Sequence, residues 1–334
     1  MLQPTRSLNP SGRKTMTEQQ EPNKATIEQA GNRISSYLHR TPVLTCSALN
    51  RMFGTELYFK CENFQKAGAF KSRGATNAVL QLKKNELVHG VATHSSGNHA
   101  AALALAASRL GISAFIVMPE NSNRIKINAV QEYGGKITFC KPTLEAREQT
   151  LKLVLENTSA TEIHPYNDYR IIAGQATATM ELLQDFPDLQ MILAPVGGGG
   201  LLSGTALAAK YFGRNISVIA AEPAGADDAH RSFRSGSFIP SENPKTIADG
   251  LLTSLGSLTY PIIMKHVDDV VTVSEESIKE AMKLVWERMK IIIEPSSAVP
   301  LGAILERKVV VGHLKTGIII SGGNVDLSAL PFNL

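Results

Sequence analysis

Phe59-Lys60-Cys61-Glu62-Asn63-Phe64-Gln65-Lys66-Ala67-Gly68-Ala69-Phe70-Lys71-Ser72-Arg73-Gly74 is the stretch around which the chain is organised, and Lys71 is its centre. Leu57, Phe59 and Cys61 alternate with Tyr58, Lys60 and Glu62, the period of a half-buried strand. A glycine-containing turn follows, and a helix is expected to open near Ser72. Lys71 therefore belongs at a strand-to-helix junction. Beside apolar Ala69 and Phe70 its ammonium loses hydration, which lowers its pKa toward the neutral amine that attacks an aldehyde. A lysine in a first helical turn is otherwise a solvated surface group, so this stretch alone leaves both readings open.

The 334 residues are long for one core, and two lobes are expected. With 43% hydrophobic and 19% charged residues the composition is that of an ordinary globular chain. Part of the net charge of +4 is local, because Arg6, Arg13, Lys14 and Lys24 outnumber Glu18 and Glu21 near the N-terminus. No basic run points to nucleic acid. Cys46, Cys61 and Cys140 lack metal-ligand spacing and fit a reducing, cytoplasmic setting. The most apolar window, Ala100 to Met118, is broken by Ser108, Arg109 and Ser113, so no membrane span is expected. Residues 1–24, rich in Pro, Ser, Gln and charge, read as a disordered tail. Arg and Ser without acid before Glu18 leave a targeting segment open, although Pro4, Pro10 and Gly12 would interrupt an amphipathic helix.

From Ala25 onward strands and helices alternate. Strands are expected at Val91–His94, Ser113–Met118, Lys136–Cys140, Met191–Val196, Ser217–Ala221, Asp269–Val273 and Gly317–Ile320, with helices such as Asn98–Leu110 and Glu275–Lys290 between them. That order implies an α/β fold of parallel sheets covered by helices.

Gly197-Gly198-Gly199-Gly200 follows an apolar strand and precedes the helix Leu201–Phe212. Four residues without Cβ let successive N–H groups converge on an anion at a helix N-terminus, forming a phosphate cup. A dinucleotide fingerprint is a rival, because Glu222 ends the next strand where a ribose-binding acid sits. The third glycine is missing, with Ser203 nearest its place, and no Gly-Lys-Ser/Thr completes a nucleotide loop. Ser95-Ser96-Gly97-Asn98-His99 offers N–H groups and hydroxyls to a carboxylate, or is a simple cap and turn. No Gly-x-Ser-x-Gly elbow is present. His94 and His99, five apart, fall on different helix faces and read as structural histidines rather than a metal pair. Glu222-Pro223-Ala224-Gly225-Ala226-Asp227-Asp228 offers clustered oxygens to a hard divalent cation, or caps the helix that follows.

In their order, the Lys71 stretch, Ser95–His99, the tetraglycine, Glu294-Pro295-Ser296 and Ser321-Gly322-Gly323-Asn324-Val325-Asp326 resemble the motifs of the fold type II pyridoxal phosphate (PLP) enzymes. Within that family the likeness is to the serine racemase and threonine dehydratase group, spanning roughly residues 25–330. It is closest to the eukaryotic-type serine racemases, with threo-3-hydroxyaspartate dehydratases nearly as similar. The resemblance implies two lobes, each with a mostly parallel sheet flanked by helices. The small lobe would be residues 84–167 and the large PLP-binding lobe residues 25–83 and 168–334, with the cofactor between.

It further implies that Lys71 bonds PLP through its amine and that Phe70, Asn98, Gly197, Gly198, Gly199, Gly200, Leu201, Glu294 and Ser321 surround it. Asn98 would meet the phenolic oxygen and Ser321 the pyridine nitrogen, where a neutral hydroxyl weakens the ring as an electron sink. Ser95, Ser96, Gly97, Asn98, His99 and Arg147 would hold substrate, with Ser96 as the second acid/base. Glu222, the Ala226 carbonyl and Asp228 would bind Mg²⁺, Ca²⁺ or Mn²⁺. A homodimer and an ATP effector are implied as well, the effector surface departing from the family at Ala101.

The implied reaction is serine racemisation accompanied by β-elimination to pyruvate and ammonia. The alternative is dehydration of threo-3-hydroxyaspartate, L-serine or L-threonine with little racemisation. Ala176 stands where the family usually has glycine and would crowd a helix start; Tyr166 replaces the asparagine of mammalian racemases. His164-Pro165-Tyr166-Asn167 lacks the serine run of the aspartate-racemising relatives, which argues against L-aspartate. A non-catalytic amino-acid sensor and an NAD-dependent enzyme are the rival classes, and the joint presence of Lys71 and Ser96 speaks against the sensor.

Overall fold

A computed structural model describes residues 20–332. Residues 1–19, which hold most of the expected tail and any targeting signal, lie outside the described residues. Lys24, the last residue assigned to that tail, instead opens a helix, Lys24–Ile34, capped by the Asn23 side chain.

Among the described residues ten strands build two sheets: β1 Val43–Leu44, β2 Leu57–Cys61, β3 Val91–His94, β4 Ala114–Pro119, β5 Lys136–Cys140, β6 Thr161–Glu162, β7 Met191–Pro195, β8 Ser217–Pro223, β9 Asp269–Val273 and β10 Thr316–Ile320. The larger sheet runs β1-β2-β10-β7-β8-β9 and the smaller β5-β4-β3-β6. Every pairing is parallel except β1 with β2. Parallel strands need crossover helices that cover both faces, which is why β7 and β10 are buried at every position and are almost wholly apolar. All four strands of the smaller sheet come from one central stretch of chain, whereas the larger sheet takes strands from both flanks.

β2 departs from its half-buried reading. Lys60 and Glu62, expected on the solvent face, are fully buried. They belong to an ion cluster centred on Arg73, which is 1% exposed. The guanidinium donates to both oxygens of Glu62 at 2.7 and 2.8 Å and to both oxygens of Glu181 at 2.7 and 2.8 Å. Lys60 Nζ donates to Glu181 at 2.7 Å and to the Thr41 carbonyl at 2.8 Å. Two cations thus meet two carboxylates, each charge hydrogen-bonded, the condition under which buried charge is tolerated.

Ala176 lies in the middle of the helix Tyr169–Asp185 rather than at a helix start. A Cβ on Gly204 would sit 2.7 Å from its backbone nitrogen, so the close approach to the helix Gly200–Phe212 is carried by Gly204. Ala101, expected on an effector surface, is buried in the core of the smaller sheet.

Candidate active site

Lys71 opens the helix Lys71–Val79, after β2 and two tight turns in which Ala67 and Gly68 both take positive φ. The turn is pinned to the end of β10: Phe70 N donates to the Ser321 carbonyl at 2.9 Å, and Ala69 bridges Gly322. Lys71 Nζ donates to the Pro165 carbonyl at 2.8 Å and lies over the Phe70 ring. Desolvation pulls its pKa down to about 8, with the Glu294 carboxylate acting the other way. The surface-lysine reading is excluded by these contacts.

Asn98 opens the helix Asn98–Arg109. Its Nδ2 donates to Glu294 Oε1 at 2.7 Å and its Oδ1 accepts from Asn324 Nδ2 at 3.0 Å. Asn324 also donates to the Ala67 carbonyl, tying this amide to the lysine turn. One Nδ2 hydrogen of Asn98 is left for a ligand. The first helical bond is Ala101 N to Gly97 O, so the N–H groups of Asn98, His99 and Ala100 are free to face an anion. The His99 ring is buried; its Nε2 meets the Ile163 carbonyl at 3.1 Å and its Nδ1 has no partner. Ser95 Oγ accepts from Gly97 N at 3.3 Å, and Ser96 is partly exposed beside it.

The tetraglycine follows β7 as expected. Gly199 caps the helix with φ 85°, a left-handed value that favours glycine, and the first helical bond is Ser203 N to Gly199 O. The N–H groups of Gly200, Leu201 and Leu202 therefore converge without helical partners. A Cβ on Gly198 would lie 2.3–2.4 Å from three ring atoms of Tyr166, so this glycine is required by the tyrosine ring laid across the loop. Ser321, buried at the end of β10, has Oγ 3.0 Å from Ser297 Oγ, which also bonds Gly322 N and O at 2.7 Å.

Glu294 is buried, and desolvation raises its pKa to about 7 despite the opposing charge of Lys126. Burial holds His94 and His164 down at about 4, so both rings are neutral, with Arg147 a further cause at His94. Arg147, in the helix Leu144–Thr158, is half-buried; its Nε is buried with no partner, and its charge bears on His94 and Tyr166.

The acidic turn lies elsewhere, after β8. Glu222 accepts from Ala229 N and His230 N, capping the helix Asp228–Ser235. Asp228 is 1% exposed, and neither of its oxygens accepts a hydrogen bond of good geometry, although the Ser241 hydroxyl and the Leu255 N–H lie near enough to favour its charged form. Desolvation raises Glu222 to about 9 and Asp228 to about 6. Among the described residues no three His, Cys, Asp or Glu side chains converge as metal ligands.

An amine depressed by desolvation, a free-N–H cup made of glycines and a spare amide donor fit a phosphorylated aldehyde cofactor. The model of the "Pyridoxal-phosphate dependent enzyme" family matches residues 34–322. The chain belongs to that family. It is 54% identical over 309 residues to a serine racemase of Dictyostelium discoideum, covering 91% of this chain and 95% of that one. A beta-hydroxyaspartate dehydratase of Paracoccus denitrificans is 48% identical, at 91% and 96% coverage. The crystal structure of the serine racemase from Dictyostelium discoideum superposes with a TM-score of 0.86 at 53% identity, covering 91% of this chain and 99% of that chain.

In this PLP enzyme, Lys126, Asp249, Asn324, Ser297 and Glu181 are residues that the sequence reading missed as part of the site or its support. Lys126, Asp249 and Glu181 are lone polar residues joined to the site only by contacts between distant segments, whereas Asn324 lies within, and Ser297 next to, a quoted motif that carried no role for it.

Proposed function

We propose that this protein racemises serine and also eliminates its hydroxyl to give pyruvate and ammonia. The observation that carries the reading is the Lys71 amine, desolvated and held against the segment Pro165–Tyr166 that covers the glycine loop. Lys71 would hold PLP through Nζ, the glycine-loop N–H groups its phosphate, and Asn98 its phenolic oxygen. Bound PLP supplies an electron sink for the charge left at the substrate Cα. Free N–H groups at Asn98–Ala100 orient the substrate carboxylate; Lys71 Nζ moves the Cα proton on one face and Ser96 Oγ on the other. Loss of the β-hydroxyl and return of the proton compete after the same deprotonation, so one site serves both outcomes.

The unpartnered Arg147 Nε favours a second reading, dehydration of threo-3-hydroxyaspartate, whose side-chain carboxylate a guanidinium holds bidentately. A divalent cation at Glu222, the Ala226 carbonyl and Asp228 is supported by the unpaired buried oxygens of Asp228. Homodimer assembly, a nucleotide effector, a cytoplasmic setting and the lobe boundaries at 84 and 167 belong to the same proposal and rest on the family resemblance. Chiral product analysis with L-serine, D-serine and L-threo-3-hydroxyaspartate tests it. Interconversion of the serines with pyruvate release is expected; turnover of 3-hydroxyaspartate alone would replace the first reading by the second.

A further inference from the structure

Lys126 stands in the helix Arg124–Glu132, beside the smaller sheet, and is 5% exposed. Its partners come from the far side of the cleft. Nζ is 2.5 Å from Asp249 Oδ2 and 3.9 Å from Glu294 Oε2, an oxygen that is buried and accepts no hydrogen bond. Asp249 belongs to the turn Asp249–Leu251, and Glu294 precedes the helix Pro295–Leu305 that packs on the larger sheet. The stem of Lys126 lies on the loop that offers N–H groups to a carboxylate: a Cβ on Gly97 would be 2.5 Å from Lys126 Cδ and 3.3 Å from Nζ. The lysine stem therefore leaves no room there for a side chain.

We propose that Lys126 is a positioning residue that clasps the Ser95–Asn98 loop to Asp249 and Glu294 across the cleft, and so sets how tightly the amino-acid carboxylate is held. This rests on the reading of that loop as the carboxylate site. A buried ammonium with one carboxylate at hydrogen-bond distance and a second nearby is strongly attracted to both. Its charge spans two elements joined by no strand pairing. The stem fixes the height of Gly97, and with it the direction of the N–H groups that follow. Asp249, whose side chain is 47% exposed, is the end of the clasp that water reaches and the one open to a mild substitution.

Lys126→Met keeps the stem and removes the charge; Asp249→Asn keeps the shape and weakens the same contact. Steady-state kinetics with L-serine should show KM raised about tenfold in Lys126→Met with kcat changed less than about threefold, the signature of lost positioning rather than lost chemistry. Asp249→Asn should move KM in the same direction by less, and the double variant should be no worse than Lys126→Met alone, because both remove one interaction. Amide hydrogen exchange of the full-length proteins as purified should be faster at residues 95–98 and 124–132 in both variants. Fully additive KM effects, or unchanged exchange at those residues in both variants, would overturn the clasp. If the wild-type protein turns over no amino acid, the functional reading fails, and the exchange comparison decides the clasp by itself.

Discussion

At the scale of the residue, desolvation decides the chemistry. Lys71 is expected to capture an aldehyde at a rate that follows its neutral fraction, rising as pH passes about 8 and levelling above it. An exposed lysine would rise only near pH ~10.4. Borohydride trapping of PLP by cofactor-depleted protein across pH 6.5–10, read by peptide mapping at Lys71, measures that midpoint; a rise confined to the exposed-lysine range would mean the amine is solvated. Arg147 carries a second expectation at this scale. Arg147→Ala should lower kcat/KM for 3-hydroxyaspartate by about a hundredfold, the loss of about 2–3 kcal/mol of charge-assisted hydrogen bonding, and should change serine turnover far less. Equal losses on both substrates would make it a structural residue.

At the scale of the element, the helix that carries Lys71 is anchored from behind by Arg73. Arg73→Leu leaves Glu62 and Glu181 without their main buried partner, and stability to urea should fall by about 3–5 kcal/mol. Removing Arg40 from its exposed pair with Asp185 should cost at most about 1 kcal/mol. Similar losses for the two variants would contradict the ranking. The same cluster shows what the sequence discloses and what it hides. Strands β4, β7 and β8 are legible because buried parallel strands are largely apolar runs, β5 through its β-branched and aromatic residues although it is mostly exposed, and Lys71, Asn98, the tetraglycine and Ser321 because each sits where a strand gives way to a turn or helix. Lys60 and Glu62 read as solvent-facing because the contacts that bury them lie outside the strand: Lys60 and Arg73 both meet Glu181, more than a hundred residues away, and Glu62 meets Arg73 in the next helix. Lys126 and Asp249 stay invisible for the same reason, and the two-residue strands β1 and β6 are too short for any period to show.

At the scale of the whole molecule, two expectations concern how distant parts act together. Saturating Mg²⁺ should raise the thermal midpoint, by linkage about 2.7 kcal/mol of stability at a hundredfold excess over Kd. Asp228→Asn should abolish that response while leaving the metal-free protein no less stable, since an unpaired buried carboxylate destabilises the fold. A Mg²⁺ response that survives the substitution would place the cation elsewhere. The central claim, that two groups on opposite sides of one cleft share the Cα proton, has its own test. Lys71 alone is able to deprotonate one enantiomer and let the hydroxyl leave, but racemisation needs a second group, assigned to Ser96. The decisive measurement is chiral chromatography beside a pyruvate assay on Ser96→Ala with confirmed PLP occupancy. The predicted result is no D-serine from L-serine, no pyruvate from D-serine, and appreciable pyruvate from L-serine; D-serine formed from L-serine at near the wild-type rate would contradict it.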